Sequence, residues 1–79
     1  MKKILLNNLK INESGKIISV NEEGNIKRRF FDIGIIPGSE IKCVLKSPFK
    51  DPSAYFIKGT LIALRDKNAQ KILIEVKDE

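Results

Sequence analysis

One uninterrupted run, Lys27-Arg28-Arg29-Phe30-Phe31-Asp32-Ile33-Gly34-Ile35-Ile36-Pro37-Gly38-Ser39-Glu40, turns the chain twice within 14 residues. Counted from Ile26 just before it, its first part places Phe30 and Ile33 at i+4 and i+7, the spacing of one helical face. Asn25 precedes it as a candidate cap for free backbone N–H groups. Gly34 follows it, where a residue of left-handed backbone ends a helix without a Cβ penalty. Pro37 fixes φ at the second position of a turn, and Gly38 supplies the positive φ that type II needs at the third. The run therefore predicts a helix from about Asn25 to Gly34, a tight turn, and a strand entered at Glu40.

The remaining chain reads as short strands. Gly15-Lys16-Ile17-Ile18-Ser19-Val20 is rich in β-branched residues, with its inward face left open by the pattern. Glu40 to Lys46 alternates, which places Ile41, Cys43 and Leu45 on one face. Ser47 to Pro52 reads as a loop, because two closely spaced prolines exclude a central strand. Tyr55-Phe56-Ile57-Lys58 and Leu61-Ile62-Ala63-Leu64 flank Gly59-Thr60, a pair suited to a type II′ hairpin. That register pairs Ile57 with Ile62, Tyr55 with Leu64 and Phe56 with Ala63, leaving Phe56 and Leu61 outward. Asp66 to Ala69 offers one helical turn, and Ile72 to Val76 a closing strand with Ile72, Ile74 and Val76 inward. Leu6 and Leu9 mark an apolar edge on a short helical turn. Short strands with one inserted helix predict a small, bent antiparallel barrel, mainly β, with the helix between its first two strands.

Composition narrows the function classes. At 79 residues the chain is read as a single domain spanning 1–79 with one small core. Its single cysteine, Cys43, permits no internal disulfide, which suits a reducing compartment. The opening Met1-Lys2-Lys3-Ile4-Leu5-Leu6 fails as a signal peptide because Asn7, Asn8 and Lys10 cut its apolar region short. No apolar stretch reaches the roughly 18 residues of a membrane span. A cytoplasmic protein without direct membrane insertion is expected. Histidine is absent, which removes the commonest general base and transition-metal ligand. With one cysteine and scattered carboxylates, the residues offer no metal or cofactor site, no nucleophile elbow and no phosphate-binding loop. A non-enzymatic protein is expected.

These segments, taken in order, resemble the FeoA family over most of the chain, from Leu6 to Val76. The resemblance rests on Arg28-Arg29-Phe30-Phe31-Asp32-Ile33-Gly34-Ile35-Ile36-Pro37-Gly38-Ser39-Glu40-Ile41, on Asp51-Pro52, on Ile57-Lys58-Gly59-Thr60-Leu61-Ile62-Ala63-Leu64-Arg65, and on Ala69 and Ile72. It implies an SH3-like barrel and a cytosolic accessory role beside FeoB, a ferrous-iron transporter with a G-protein domain. It also implies a family-level association with transition metal ions. The chain departs from the family in three places. Phe30-Phe31 replaces leucines, Ile11-Asn12 stands where Pro-Gly is common, and Phe56 and Leu61 fall where polar residues are usual. Asn tolerates left-handed backbone better than most residues, so the turn at Asn12 can survive.

The net charge of +5 is compatible with nucleic acid, an acidic protein face or an anionic membrane surface. Candidate partner contacts are Phe31, Ile35, Phe56 and Leu61, rimmed by Arg28 and Arg29. The bland alternative leaves Lys27-Arg28-Arg29 as a solvated helix face and puts Phe31 and Ile35 in the core. A nucleic-acid-binding or regulatory small barrel is the other function class. Its basic residues are scattered and its aromatics amount to 6%, short of a stacking platform.

Overall fold

A computed structural model describes residues 1–47 and 51–77. Pro48, Phe49 and Lys50, in the expected loop, lie outside the described residues. The strands are β1 (Lys2–Leu5), β2 (Ser14–Val20), β3 (Glu40–Lys46), β4 (Ser53–Ile57), β5 (Thr60–Leu64) and β6 (Ile72–Val76). The helices are α1 (Gly24–Asp32) and α2 (Asp66–Ala69), with a 3-10 turn at Leu6–Asn8. The six strands form one antiparallel sheet in the order β1-β6-β2-β3-β4-β5. The end strands β1 and β5 do not pair, so the barrel stays open at that seam. Strand β1 is additional to the expected set, so α1 falls between the second and third strands. Its Lys2 and Lys3 hide it in the sequence, and only Ile4 of the four residues is withdrawn from solvent.

Alternation and two bulges build the core. Ile72, Ile74 and Val76 point inward as expected, joined by Ile17, Val20, Ile41, Cys43, Tyr55, Ile57 and Leu64. Leu6 and Leu9 are fully buried, and they plug the core rather than edging it. Gly15 lies where β2 crosses β6: a Cβ there would sit 3.0 Å from the Glu75 carbonyl oxygen. A missing side chain thus sets the closest approach of these two strands. One bulge, between Ile17 and Ser19, explains why the inward face of β2 is unreadable from alternation. The second lies between Cys43 and Leu45. Two residues of β3 there oppose one of β4, so Leu45 turns outward and is 59% exposed, against the expectation that it joins Ile41 and Cys43.

The hairpin corrects the expected register. Its turn is Lys58-Gly59, both at positive φ (49° and 80°), and Ile57 pairs with Thr60. This is the type I′ pattern, not type II′. Phe56 pairs with Leu61 and Tyr55 with Ile62. A shift of two partners preserves which face each residue takes, so Phe56 and Leu61 still point outward.

Helix α1 begins one residue earlier than expected, with Glu23 at the cap position and Asn25 already inside. Neither Ile26 nor Ile33 is buried, at 43% and 40% exposure; Phe30 is the only buried residue of α1. The helix therefore meets the core near its C-terminal end rather than along a stripe. That end closes as expected. Gly34 has φ 103°, its N–H donates to the Phe31 carbonyl at 3.1 Å, and the Ile35 N–H donates to the Phe30 carbonyl at 2.8 Å. These two bonds form a Schellman motif, and its hydrophobic pair is Phe30 with Ile35, both buried. The Ser39 N–H then donates to the Ile36 carbonyl at 3.1 Å, closing the Pro37-Gly38 turn with Gly38 at φ 94°. Asn12 also takes the left-handed region, at φ 70°, and its N–H donates to the Cys43 carbonyl at 2.7 Å.

The other helix is tied down electrostatically. Asn68 Nδ2 donates to Glu22 Oε2 at 2.7 Å, and Lys71 Nζ approaches Glu22 Oε1 at 3.7 Å. Glu22 is buried, so its carboxylate depends on these partners.

A valine at Gly34 tests the helix closure. A Cβ there would also lie 3.0 Å from Lys58 Cδ. Gly34→Val is expected to lose at least about 1 kcal/mol in urea unfolding, because β-branched residues resist this region. A variant as stable as the parent would contradict the role given to the motif.

Candidate functional site

Outward-facing residues of β3, β4 and β5 fall into two rows. Lys42 pairs with Phe56 and Phe56 with Leu61; Leu45 pairs with Ala54 and Ala54 with Ala63. Phe56 is 45% exposed and Leu61 61%. The two rows therefore present adjoining apolar side chains on the solvent face of the sheet, and Leu45 adds to a patch the sequence placed only at Phe56 and Leu61. The signal missed there was the bulge, which arises from pairing with β4 and leaves no mark in the β3 sequence.

Beside the first row lies an open groove of about 330 Å³ lined by Ser14, Glu40, Lys42, Phe56 and Lys58. The Lys58 stem crosses toward Gly34, so the hairpin tip meets the C-terminal end of α1. On that helix Phe31 is 40% exposed, with Lys27 Nζ 5.7 Å from its ring centroid. The contact is a cation–π approach that shields one ring face. Arg28 and Arg29 are exposed. Ile35 is not: it has no accessible surface, because the Schellman closure draws it under the helix end. It belongs to the core and drops out of the candidate contacts.

Burial governs the reactive groups. Burial pushes the Cys43 thiol above its ordinary value, partly offset by the Lys46 ammonium. Burial pushes the Tyr55 phenol up to about 12, with Cys43 beside it adding to the rise. Neither group is poised for chemistry at neutral pH. Among the described residues, no three Cys, Asp or Glu side chains gather as a metal site. Among the described residues, no helix is long and apolar enough to cross a membrane.

A profile of the FeoA domain matches residues 4–76. A curated relative, a Fe(2+) transport protein A/Fe(2+) transporter FeoB fusion protein of Porphyromonas gingivalis, is 30% identical over 71 residues. That match takes in 90% of this chain but only 8% of the relative's length. The solution structure of a FeoA-like protein from Clostridium acetobutylicum superposes with a TM-score of 0.86 at 37% identity, covering 100% of this chain and 92% of that one. The crystal structure of Stenotrophomonas maltophilia FeoA with zinc, a prokaryotic SH3 domain protein, gives 0.80 at 26% identity, covering 91% and 89%. The open six-stranded sheet is thus an SH3-like fold.

Two measurements check this surface and the core beneath it. Phe56→Ala is expected to cost under about 1 kcal/mol in thermal unfolding, whereas Ile57→Ala, one residue along and fully buried, costs about 2–5 kcal/mol. Equal losses would mean that the faces are misassigned. Tyr55 is the only tyrosine and the chain has no tryptophan, so its ionisation can be followed by tyrosinate absorbance. Its folded value near 12 exceeds the ordinary 10, so the unfolded state releases its proton first as pH rises. The stabilisation from burying the neutral phenol is full below pH 10 and falls by roughly 2–3 kcal/mol toward pH 12. Tyr55→Phe should remove that part of the decline.

Proposed function

Since the chain belongs to the FeoA family, we propose that it is an accessory binding domain of ferrous-iron uptake that docks on the cytoplasmic side of a FeoB-type transporter and modulates its transport or GTP hydrolysis. The observation that carries the reading is the Porphyromonas gingivalis relative, in which a transport protein A and a FeoB transporter share one chain. Covalent fusion holds two domains at high effective concentration and makes joint action the natural use of both. Docking needs a contact surface on the domain itself. Phe56 and Leu61, with Phe31 at the helix and Arg28 and Arg29 as charged rim, are the residues assigned to it here. Aromatic anchors and Arg dominate the energetics of such contacts. In this reading the domain supplies no catalytic group. It acts by binding, from the cytoplasm, at a membrane it does not enter.

The test is capture of the FeoB-type transporter from the same genome on the immobilised chain, with GTP turnover measured alongside. The double variant Phe56→Ala/Leu61→Ala is expected to melt close to the parent and to bind at least about tenfold more weakly, a loss of about 1.4 kcal/mol. Unchanged capture by the double variant would move docking off this patch. Absence of capture by the parent, with GTP turnover unaltered, would overturn the reading itself.

A further inference from the structure

The sheet ends at β5, and that end differs from the other. In a two-residue hairpin the residues flanking the turn form a hydrogen-bonded pair, here Ile57 with Thr60. Thr60, Ile62 and Leu64 therefore direct their backbone groups at β4, while Leu61 and Ala63 direct theirs away from the sheet. Among the described residues, no backbone hydrogen bond reaches Leu61 or Ala63 from that side. Edge strands are ordinarily protected by charge, proline or a bulge. The opposite edge, β1, has Lys2 and Lys3. Strand β5 has no charged residue and no proline from Thr60 to Leu64, and its pairing with β4 has no bulge.

Charge selects the occupant. Lys58 stands at the turn end of β5 and Arg65 immediately follows its other end. Among the described residues, no carboxylate lies within ion-pairing distance of Lys58, Arg65 or Lys42. Glu40 shares the groove with Lys42 and Lys58 without closing an ion pair, and the Asp66 carboxylate accepts a hydrogen bond from Gln70 at 2.6 Å. A second copy of the chain would bring another +5 net charge to the same edge.

We propose that β5 is a strand-acceptor edge, which takes an extended partner segment, apolar in the middle and acidic at both ends, as an added strand of the sheet. Main-chain bonds at Leu61 and Ala63 hold the segment, and its apolar side chains continue the two rows that run through Leu61 and Ala63. Strand β5 is about 17 Å long, so a segment of roughly seven residues brings its terminal carboxylates to Lys58 and Arg65. The proposal deepens the docking reading and rests on it for the use of this patch. Its test uses a synthetic strand and so fails separately from transporter capture.

The probe is the blocked peptide Glu-Val-Thr-Val-Thr-Val-Glu, titrated into the full chain and followed by amide hydrogen exchange and calorimetry. Added peptide is expected to slow exchange at Leu61 and Ala63 at least tenfold. Exchanging its terminal Glu for Lys should weaken binding at least fivefold. Ala63→Pro removes an outward N–H without touching the ladder to β4, and should abolish binding while leaving the melting curve in place. Should the proline variant fold poorly, Leu61→Lys, at an exposed position, sets a guarding charge on the edge and should weaken binding likewise. The idea is overturned by unchanged exchange at Leu61 and Ala63 under millimolar peptide, or by undiminished binding to both variants. Equal affinity for the Lys-ended peptide overturns the acidic partner. So does sedimentation as a dimer that Leu61→Lys disperses, which assigns the edge to a second copy.

Discussion

Phe30 and Ile35 are drawn together because the backbone between them reverses at Gly34, and two hydrogen bonds hold that reversal. The pair lets nine residues of mostly polar helix stay attached to a β core through one end. Had α1 packed along its length, Ile26 and Ile33 would be buried and the basic flank would lie closer to the sheet. Instead the helix presents Lys27, Arg28 and Arg29 to solvent and delivers the chain into the Pro37-Gly38 turn. Strand β3 starts where that turn releases it, so the register of the sheet next to the patch is set by the helix stop.

The surface proposed for docking combines two kinds of interaction. Apolar side chains of β3, β4 and β5 offer area, while the cations around them supply electrostatic attraction at longer range toward an acidic group. Long-range attraction of this kind weakens with salt and apolar contact does not, so the two contributions are separable in one preparation. The buried Cys43 and Tyr55 beneath the patch are held neutral by burial, which keeps the supporting layer indifferent to pH across the physiological range.

Much of this was legible in the residues. Gly34, Pro37 and Gly38 each demand a particular backbone, and each demand was met. Ile72, Ile74 and Val76 alternate without interruption and took the inward face. The outward placement of Phe56 and Leu61 survived an incorrect turn type because the register error was even. What failed was non-local. The bulges beside Ile18 and Val44 come from partner strands, and no pattern within β2 or β3 announces them. Strand β1 is a strand because β6 offers an edge, not because Lys2-Lys3-Ile4-Leu5 prefers one. Ile35 follows the helix in sequence, and its burial comes from the hydrogen bond back to Phe30.

The bulge at Val44 makes the character of the outer face a matter of parity. One supernumerary residue in β3 separates Cys43, facing in, from Leu45, facing out. Substitutions at Leu45 can enlarge or shrink what is displayed there, but they leave the position outside. Regular pairing of the same residues would restore strict alternation from Cys43 and send Leu45 to the interior, whereas loss of Val44 would leave Leu45 next to Cys43, opposite Ala54 and still facing out. The display of Leu45 therefore rests on how β3 pairs with β4 and survives loss of the extra residue. Exchange of side chains can tune what this face displays, while the face itself belongs to the pairing of two strands.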